Sequence, residues 1–479
     1  MSAPLLRRLT DSVARLPGLT NALRDSADGV QSQSVRGPAA LRPFVAHALA
    51  GRAGPVLVVT ATAREADDAA AVLAETLGSE AVATFPAWET LPHERLSPRS
   101  DTVGRRLATL RRLVHPESSA GGTPLRAVVA PVRSILQPHV RGLADLTPVE
   151  LSVGDDYELD ALVRDLAGAA YSRVDLVERR GVFAVSGGIV DVFPPTADHP
   201  VRIEFWGDTV EEIRQFSVAD QRSLEPVSRV WAPPCRELLL TDDVRARAKA
   251  LAEGHPSLVE MLTKIAEGHA VEGMESFTPV LVDEMELLVD LLPEHASVLL
   301  CDPERVRARA HDLVATSEEF LQASWAAAAT GAEAPIDLTS AAFHTLDQVA
   351  EHTVSLGHLW WGITPFGLDA ETTAGGEWDL EVDEAPELRG DLDGAATVIR
   401  NWRTEGLEVV LVVPGQGQVQ RTLEWLAEVD LAGTEIRADQ GEGQGADDPE
   451  PADGVVRVLC AELPHGFVAR PLGLAVLTH

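Results

Sequence analysis

The segment Gly181-Val-Phe183-Ala-Val-Ser-Gly187-Gly188-Ile-Val-Asp191-Val-Phe193-Pro194, continued by Val201-Arg202-Ile-Glu204-Phe205-Trp206-Gly207-Asp208, decides how the middle of the chain folds. It holds three short runs rich in β-branched and aromatic residues, Val182–Val185, Ile189–Phe193 and Val201–Trp206, and a fourth, Val210–Phe216, follows. Between them lie Ser186-Gly187-Gly188, a proline-bounded link over 194–200, and Gly207-Asp208. Hairpin-length gaps with Gly or Gly-Asp specify an antiparallel meander. Val182, Ile189, Val192 and Phe193 alternate toward a core. One helix, about Glu158–Ala170, precedes the runs, so this is a small α+β module.

Both flanks read differently. Upstream, Val56–Thr60, Val82–Phe85 and Ala127–Ala130 are buried-strand runs, alternating with helical patterns around Arg64–Leu77 and Asp101–Val114. Strands alternating with helices specify a parallel sheet covered on both faces. Downstream, Leu238 to about Ala329 is mostly helical with one strand, Ser297–Cys301, and 331–390 has no readable pattern around Leu359-Trp360-Trp361. From Ala396 a further α/β unit follows: a helix, a strand at Glu408–Val413, a helix to about Glu428, and strands at Val455–Leu459 and Leu474–Leu477. Between them Ala438–Gly454 is polar and acidic, and is expected as a loop.

The chain has 479 residues and a formal net charge of −34, with 45% hydrophobic residues, which excludes wholesale disorder and a uniformly basic nucleic-acid-coating protein. The charge is uneven: residues 1–150 carry 17 Arg against 14 acidic side chains, 151–236 carry 9 against 15, and 237–479 carry 14 cations against 45. Cys235, Cys301 and Cys460 are far apart and lack CxxC spacing, which argues against a disulfide framework or structural zinc. With no long apolar run and no secretion-signal core, a soluble cytoplasmic protein is expected, with no membrane contact.

No catalytic constellation emerges. A phosphate-binding loop needs a row of backbone amides and a Lys followed by Ser or Thr, yet the chain has no Gly-Lys dipeptide, and its only lysines are Lys249 and Lys264. The place for such a loop, Ser34-Val-Arg-Gly37-Pro38, ends on a proline without an N–H. Val413-Pro-Gly415-Gln-Gly417 resembles half of a dinucleotide fingerprint and reads better as a strand-to-helix turn. The histidines lack metal-pair spacing. The arginines of 95–112 read as a solvated helix face, because Glu94 and Asp101 are interleaved with them.

Two blocks carry a specific resemblance. Phe85-Pro-Ala-Trp88-Glu89-Thr-Leu91-Pro92-His-Glu-Arg-Leu-Ser97-Pro98 with Arg106-Leu-Ala-Thr-Leu110 resembles the first domain of bacterial transcription-repair coupling factors (the Mfd family). Tyr171-Ser-Arg173-Val-Asp175, the segment from Gly181 to Pro194, Arg202–Asp208 and Phe216–Leu224 resemble the second domain, which that family shares with the excision-repair protein UvrB. The end of the chain, Pro464-His-Gly466-Phe467 onward, resembles the third domain.

The resemblance implies a multi-domain α/β protein. A degenerate helicase-like parallel α/β domain (1–148, completed by 237–385) would receive an inserted α+β antiparallel UvrA-binding-type domain (149–236), followed by a small α/β domain (386–479). It implies a non-catalytic portion with no cofactor of its own, ATP and magnesium serving only motor domains outside this chain. UvrB itself, the nucleotide-dependent alternative, would carry an intact phosphate loop and a Tyr-rich hairpin after the third strand. Here Pro131-Val-Arg-Ser-Ile135 runs straight on, and Tyr157 and Tyr171 are the only tyrosines.

The partners implied are UvrA, bound by the second domain, and a C-terminal domain of the full-length protein that covers the same surface at rest. RNA polymerase and DNA would be met through other domains. UvrB's Tyr-x-Arg-x-Asp pattern is matched by Tyr171, Arg173 and Asp175. Its Phe-Arg-x-Arg-Gly pattern is matched at Phe183 and Gly187, but Ala184 and Ser186 replace the arginines, and the family commonly keeps the second. Ser186 therefore lacks a guanidinium fork that could hold a partner's carboxylate. UvrA binding is expected to be weaker or to lean on Arg173 and on neighbours such as Arg180. The local alternative for Arg173 is an ion pair with Asp175 or Glu178.

Overall fold

A computed structural model describes residues 6–52, 54–91, 94, 96–118, 123–329, 342–366, 376–388, 390–436 and 454–478. The acidic stretch 438–453 read above as a loop lies outside them.

The first sheet has seven strands, all paired in parallel, in the order Gly376–Asp379, Ser32–Arg36, Leu359–Thr364, Ser297–Cys301, Val56–Thr60, Ala127–Pro131, Val82–Thr84. Three of these strands come from beyond the antiparallel module, so both flanks build one sheet. Val58, Val129 and Leu299 bury one face, while Leu57, Val59, Val128 and Leu300 bury the other. Burial on both sides is why these strands read as unbroken apolar runs. The helices Arg42–Ala50 and Ala63–Leu77 pack on the first face; Ser100–Val114 and Pro303–Ala329 pack on the second. Ala63–Leu77 starts on a reciprocal cap, the Glu65 amide donating to Thr62 Oγ1 at 3.3 Å and the Thr62 amide to Glu65 Oε2 at 3.1 Å. It ends at Gly78, whose φ of +92° suits glycine.

The second sheet is the meander, in the order Ser223–Pro226, Thr209–Phe216, Val201–Trp206, Ile189–Val192, Val182–Ser186, with the short strand Ser172–Arg173 added in parallel at the edge. Phe183, Val190, Val192, Ile203 and Ile213 bury one face under the helix Leu159–Gly168. A smaller cluster, Val177, Val182, Phe193 and Phe216, covers the lower half of the opposite face. This module docks on the first domain through its 194–197 turn: a Cβ built at Gly104 would overlap Pro195 Cβ, and Ser100 Oγ donates to the Arg180 carbonyl at 3.2 Å.

The third sheet runs Asp383–Glu384, Phe467–Ala469, Leu474–Thr478, Glu408–Val413, Val456–Cys460, Gly433–Ile436. The helices Leu392–Thr404 and Gln416–Glu428 cover one face. The other face joins the core of the first domain, where the Phe44 and Phe467 rings meet edge-on at 5.6 Å.

Arg106 departs from the solvated face expected for 95–112. It is fully buried, its Nε 2.5 Å from Glu237 Oε1, and its guanidinium lies 4.1 Å from the Phe85 ring centre. Trp88 Nε1 donates to the same Glu237 oxygen at 3.1 Å, and Arg106 Nη1 donates to the Pro86 carbonyl at 2.9 Å. Ser97 Oγ accepts from the Gly273 amide (2.9 Å) and from Arg236 Nη1 (3.1 Å), and donates to Glu275 at 2.7 Å. Trp88 and Ser97 thus fasten the exit of the inserted module, Arg236 and Glu237, to the first domain and to the helical lobe after it.

Candidate docking surface

The antiparallel sheet presents a polar set of side chains on the half of one face that the Val177–Phe216 cluster leaves open. Alternation along the strands puts Ala184, Ser186, Ile189, Asp191, Arg202, Glu204, Glu212 and Arg214 there. Arg202 grips Asp191 with two bonds of 2.8 Å each, and the carboxylate raises the guanidinium's already high pKa. Arg214 pairs with Glu212 at 2.7 Å. The Ser186–Ile189 hairpin, with Gly187 at φ +61°, and the Trp206–Thr209 hairpin, with Gly207 at φ +63°, emerge side by side at one end, joined by the Phe205 amide donating to the Gly188 carbonyl at 2.9 Å.

Tyr171 is buried, its hydroxyl donating to the Pro233 carbonyl at 2.8 Å, and burial pushes its pKa well up. It anchors the edge strand whose next residues include Arg173, paired in register with Phe183. The Arg173 side chain is exposed and makes no ion pair among the described residues, with Asp175 and Glu178 included. Arg180 is held differently: its Nε donates to the Ala197 carbonyl at 2.9 Å and its guanidinium lies 5.1 Å from the Phe193 ring centre. Ser186 is exposed at the hairpin end. Arg173, in register with Phe183, stands at the exposed sheet edge on the side of the helix-covered face, Ser186 lies at the hairpin end of the open face, and Arg180 is tied to the turn that docks the module. Val182, Val192 and Phe193 are buried; Ile189, read as a core position, stands half-buried on the open face. The exposed Trp206 was missed by sequence reading, because an aromatic in a strand reads as core.

The first domain offers a crevice where topology places ligands. The helix after Val56–Thr60 covers one face of the sheet and that after Ser297–Cys301 the other, so the chain diverges between these neighbouring strands. A cavity of about 330 Å³ opens there. Inside it Arg42 pairs with Asp302 at 2.6 Å and Arg305 pairs with Glu65. The Gly37 amide donates to the Thr364 carbonyl at 2.9 Å, and Leu380 and Leu41 press against the glycine. The strand Ala127–Pro131 passes directly into the helix Val132–Leu136. Burial pushes the Cys301 thiol up to about 12 and the Cys235 thiol up to about 12. Among the described residues no group of three or more His, Cys, Asp or Glu side chains suits a metal, and no helix is long and apolar enough to cross a membrane.

Residues 149–238 match the family model described as the UvrB interaction domain. A transcription-repair-coupling factor of Mycobacterium tuberculosis (strain CDC 1551 / Oshkosh) is 47% identical over 461 residues, covering 92% of this chain and 36% of that protein. That of Mycobacterium bovis gives the same values, and that of Myxococcus xanthus is 35% identical over 296 residues, 57% of this chain and 24% of the relative. The chain spans about 36% of the length of the mycobacterial relatives it matches. By sequence it is related, along nearly all of its length, to transcription-repair-coupling factors, and its residues 149–238 are similar to the UvrB interaction domain.

Proposed function

We propose that this chain is the recruiting portion of a transcription-repair coupling factor and that its antiparallel module docks UvrA. The observation that carries the reading is Arg173, a cation on an exposed sheet edge with no ion pair among the described residues, within a UvrB interaction domain. A free guanidinium on a buried tyrosine anchor is prepared to hold a partner's carboxylate in two bonds. The whole protein would recognise RNA polymerase stalled at a lesion, displace it by ATP-driven movement on DNA, and deliver the excision machinery. Its C-terminal domain would cover the docking face at rest.

The chain itself would not hydrolyse ATP. Supporting this, the crevice at the strand ends is occupied by the Arg42–Asp302 pair, and the Gly37 amide is already used. A nucleotide-driven, UvrB-type subunit is the rival, and it would use the same crevice. Titrating UvrA into the purified chain by calorimetry tests the proposal. Binding is expected, with Arg173→Ala weakening it about tenfold or more and Ser186→Arg tightening it. No binding by the unaltered chain, or DNA-stimulated ATPase activity from it, would overturn the reading.

A further inference from the structure

Trp206 is 80% exposed, whereas Trp88, Trp361 and Trp402 are buried and Trp231, Trp360, Trp378 and Trp425 are at least half covered. An indole that keeps so much apolar area in water gains nothing from folding, and such area marks a place where another molecule lands. The ring is also held in place from behind. It ends the strand Val201–Trp206 at a two-residue turn, and three backbone bonds pin that turn to the preceding segment. The Tyr157 amide donates to the Asp208 carbonyl at 2.6 Å, the Gly154 amide to Val210 at 2.8 Å, and the Val210 amide to Asp155 at 2.9 Å. Thr209 Oγ1 adds a bond to Asp156 Oδ1 at 2.8 Å. A pinned tip presents its side chain with little ordering left to lose on association.

The indole N–H has no acceptor among the described residues, in contrast to Trp88, Trp361 and Trp378, whose N–H groups donate to Glu237, Ser26 and Asp25. Half-buried Ile189 lies on the same face, its strand paired to Glu204 beside the tip. Asp208 and Glu211, on the same turn and the strand that leaves it, are exposed and without ion-pair partners among the described residues, and Glu204 shares the strand that ends at Trp206. Arg202 and Arg214, the nearest cations on the face, are committed to Asp191 and Glu212.

We infer that Trp206 is the apolar anchor of the docking face, and that it enters a partner pocket with a hydrogen-bond acceptor at its base and basic side chains at its rim. This rests on the UvrA-docking reading above and deepens it, adding to the Arg173 edge a second contact of opposite character. A buried aromatic anchor ringed by charged contacts is the usual make-up of an energetic hot spot.

The test is calorimetric titration of UvrA into the full chain and three variants. Trp206→Ala should weaken binding about thirtyfold or more, with a circular dichroism spectrum and melting curve like those of the unaltered chain, since the ring packs against no core. Trp206→Phe, which keeps the ring but loses the N–H, should fall between the two. Glu211→Lys should weaken binding severalfold, and more at low salt than at high salt. If the unaltered chain binds and Trp206→Ala binds within about threefold of it, the inference is overturned while the docking reading stands. If Trp206→Phe matches the unaltered chain, the acceptor is refuted, and if Glu211→Lys tightens binding, the basic rim is refuted. No binding by the unaltered chain overturns both readings.

Discussion

The Arg106–Glu237 pair invites a double-mutant test, because the structure sets the size of the effect. The side chains are 0% and 2% exposed, Nε and Oε1 are 2.5 Å apart, and the partners are 131 residues apart in sequence. Arg106→Met keeps much of the buried volume but leaves Glu237 with the single bond from Trp88 Nε1 and leaves the Pro86 carbonyl without its donor. An uncompensated buried charge costs about 3–5 kcal/mol, and the orphaned carbonyl about 1 kcal/mol more. Arg106→Met with Glu237→Leu removes both charges, so the net loss should shrink to about 2 kcal/mol or less, chiefly the unpaired Trp88 N–H. Glu237→Leu alone strands Arg106 at a similar cost of about 3–5 kcal/mol, so the expected coupling, the two single losses less the double loss, is about 5 kcal/mol or more between residues on opposite sides of the inserted module. Several domains make a single global unfolding energy ill-defined, so the measurement is native-state hydrogen exchange of the amides of Ser100–Val114. A single variant that costs less than about 1 kcal/mol, or a double variant that costs the sum of the singles, would refute the reasoning.

Two further outcomes follow from packing and from titration. His139 is fully buried, and burial, reinforced by the Arg106 charge, pushes its pKa down to about 4 from 6.5. The unfolded chain takes up that proton below pH 6.5 and the native chain does not until about pH 4, so the stability it lends is present above 6.5 and lost as the pH falls. The loss should reach about 3 kcal/mol; His139→Leu should flatten the slope between pH 6.5 and 4 in the stability read from native-state hydrogen exchange of the Ser100–Val114 amides, and an unchanged slope refutes it. Gly104→Val should force Pro195 away and loosen the inserted module by about 1–3 kcal/mol. Limited proteolysis should then cut faster in the links around 149–236, and an unchanged digestion pattern would contradict the contact.

The strands of the middle module were legible because one face is buried and the turns carry glycine, as at Gly187 and Gly207. Val56–Thr60 was legible as an unbroken apolar run. Ser32–Arg36 was not, because a buried strand containing Gln33 and Ser34 looks like a loop until their partners are known. Gln33 Nε2 donates to the Ala22 carbonyl at 2.6 Å and to Ser26 Oγ at 3.1 Å. Leu359–Thr364 was hidden because Gly362 interrupts its apolar run, and a glycine inside a strand weakens the pattern. Arg106 read as solvated because its neighbours are charged, while its partner lies far along the chain. The Arg173 motif was visible in the sequence, but whether that arginine was paired or free required the fold, and the exposure of Trp206 had no sequence signal at all.

The parallel sheet assembled from both flanks also governs how the chain can be made. Ser32–Arg36 is flanked by Leu359–Thr364 and Gly376–Asp379, and Val56–Thr60 has Ser297–Cys301 on one side. At about 5–20 residues per second, a ribosome delivers those partners tens of seconds after the first strands emerge. The meander pairs strands close in sequence and can close long before then. During synthesis, therefore, the finished antiparallel module sits on a half-built sheet whose apolar edges remain unpaired. That interval, rather than the stability of the completed protein, is when this chain most needs protection from aggregation.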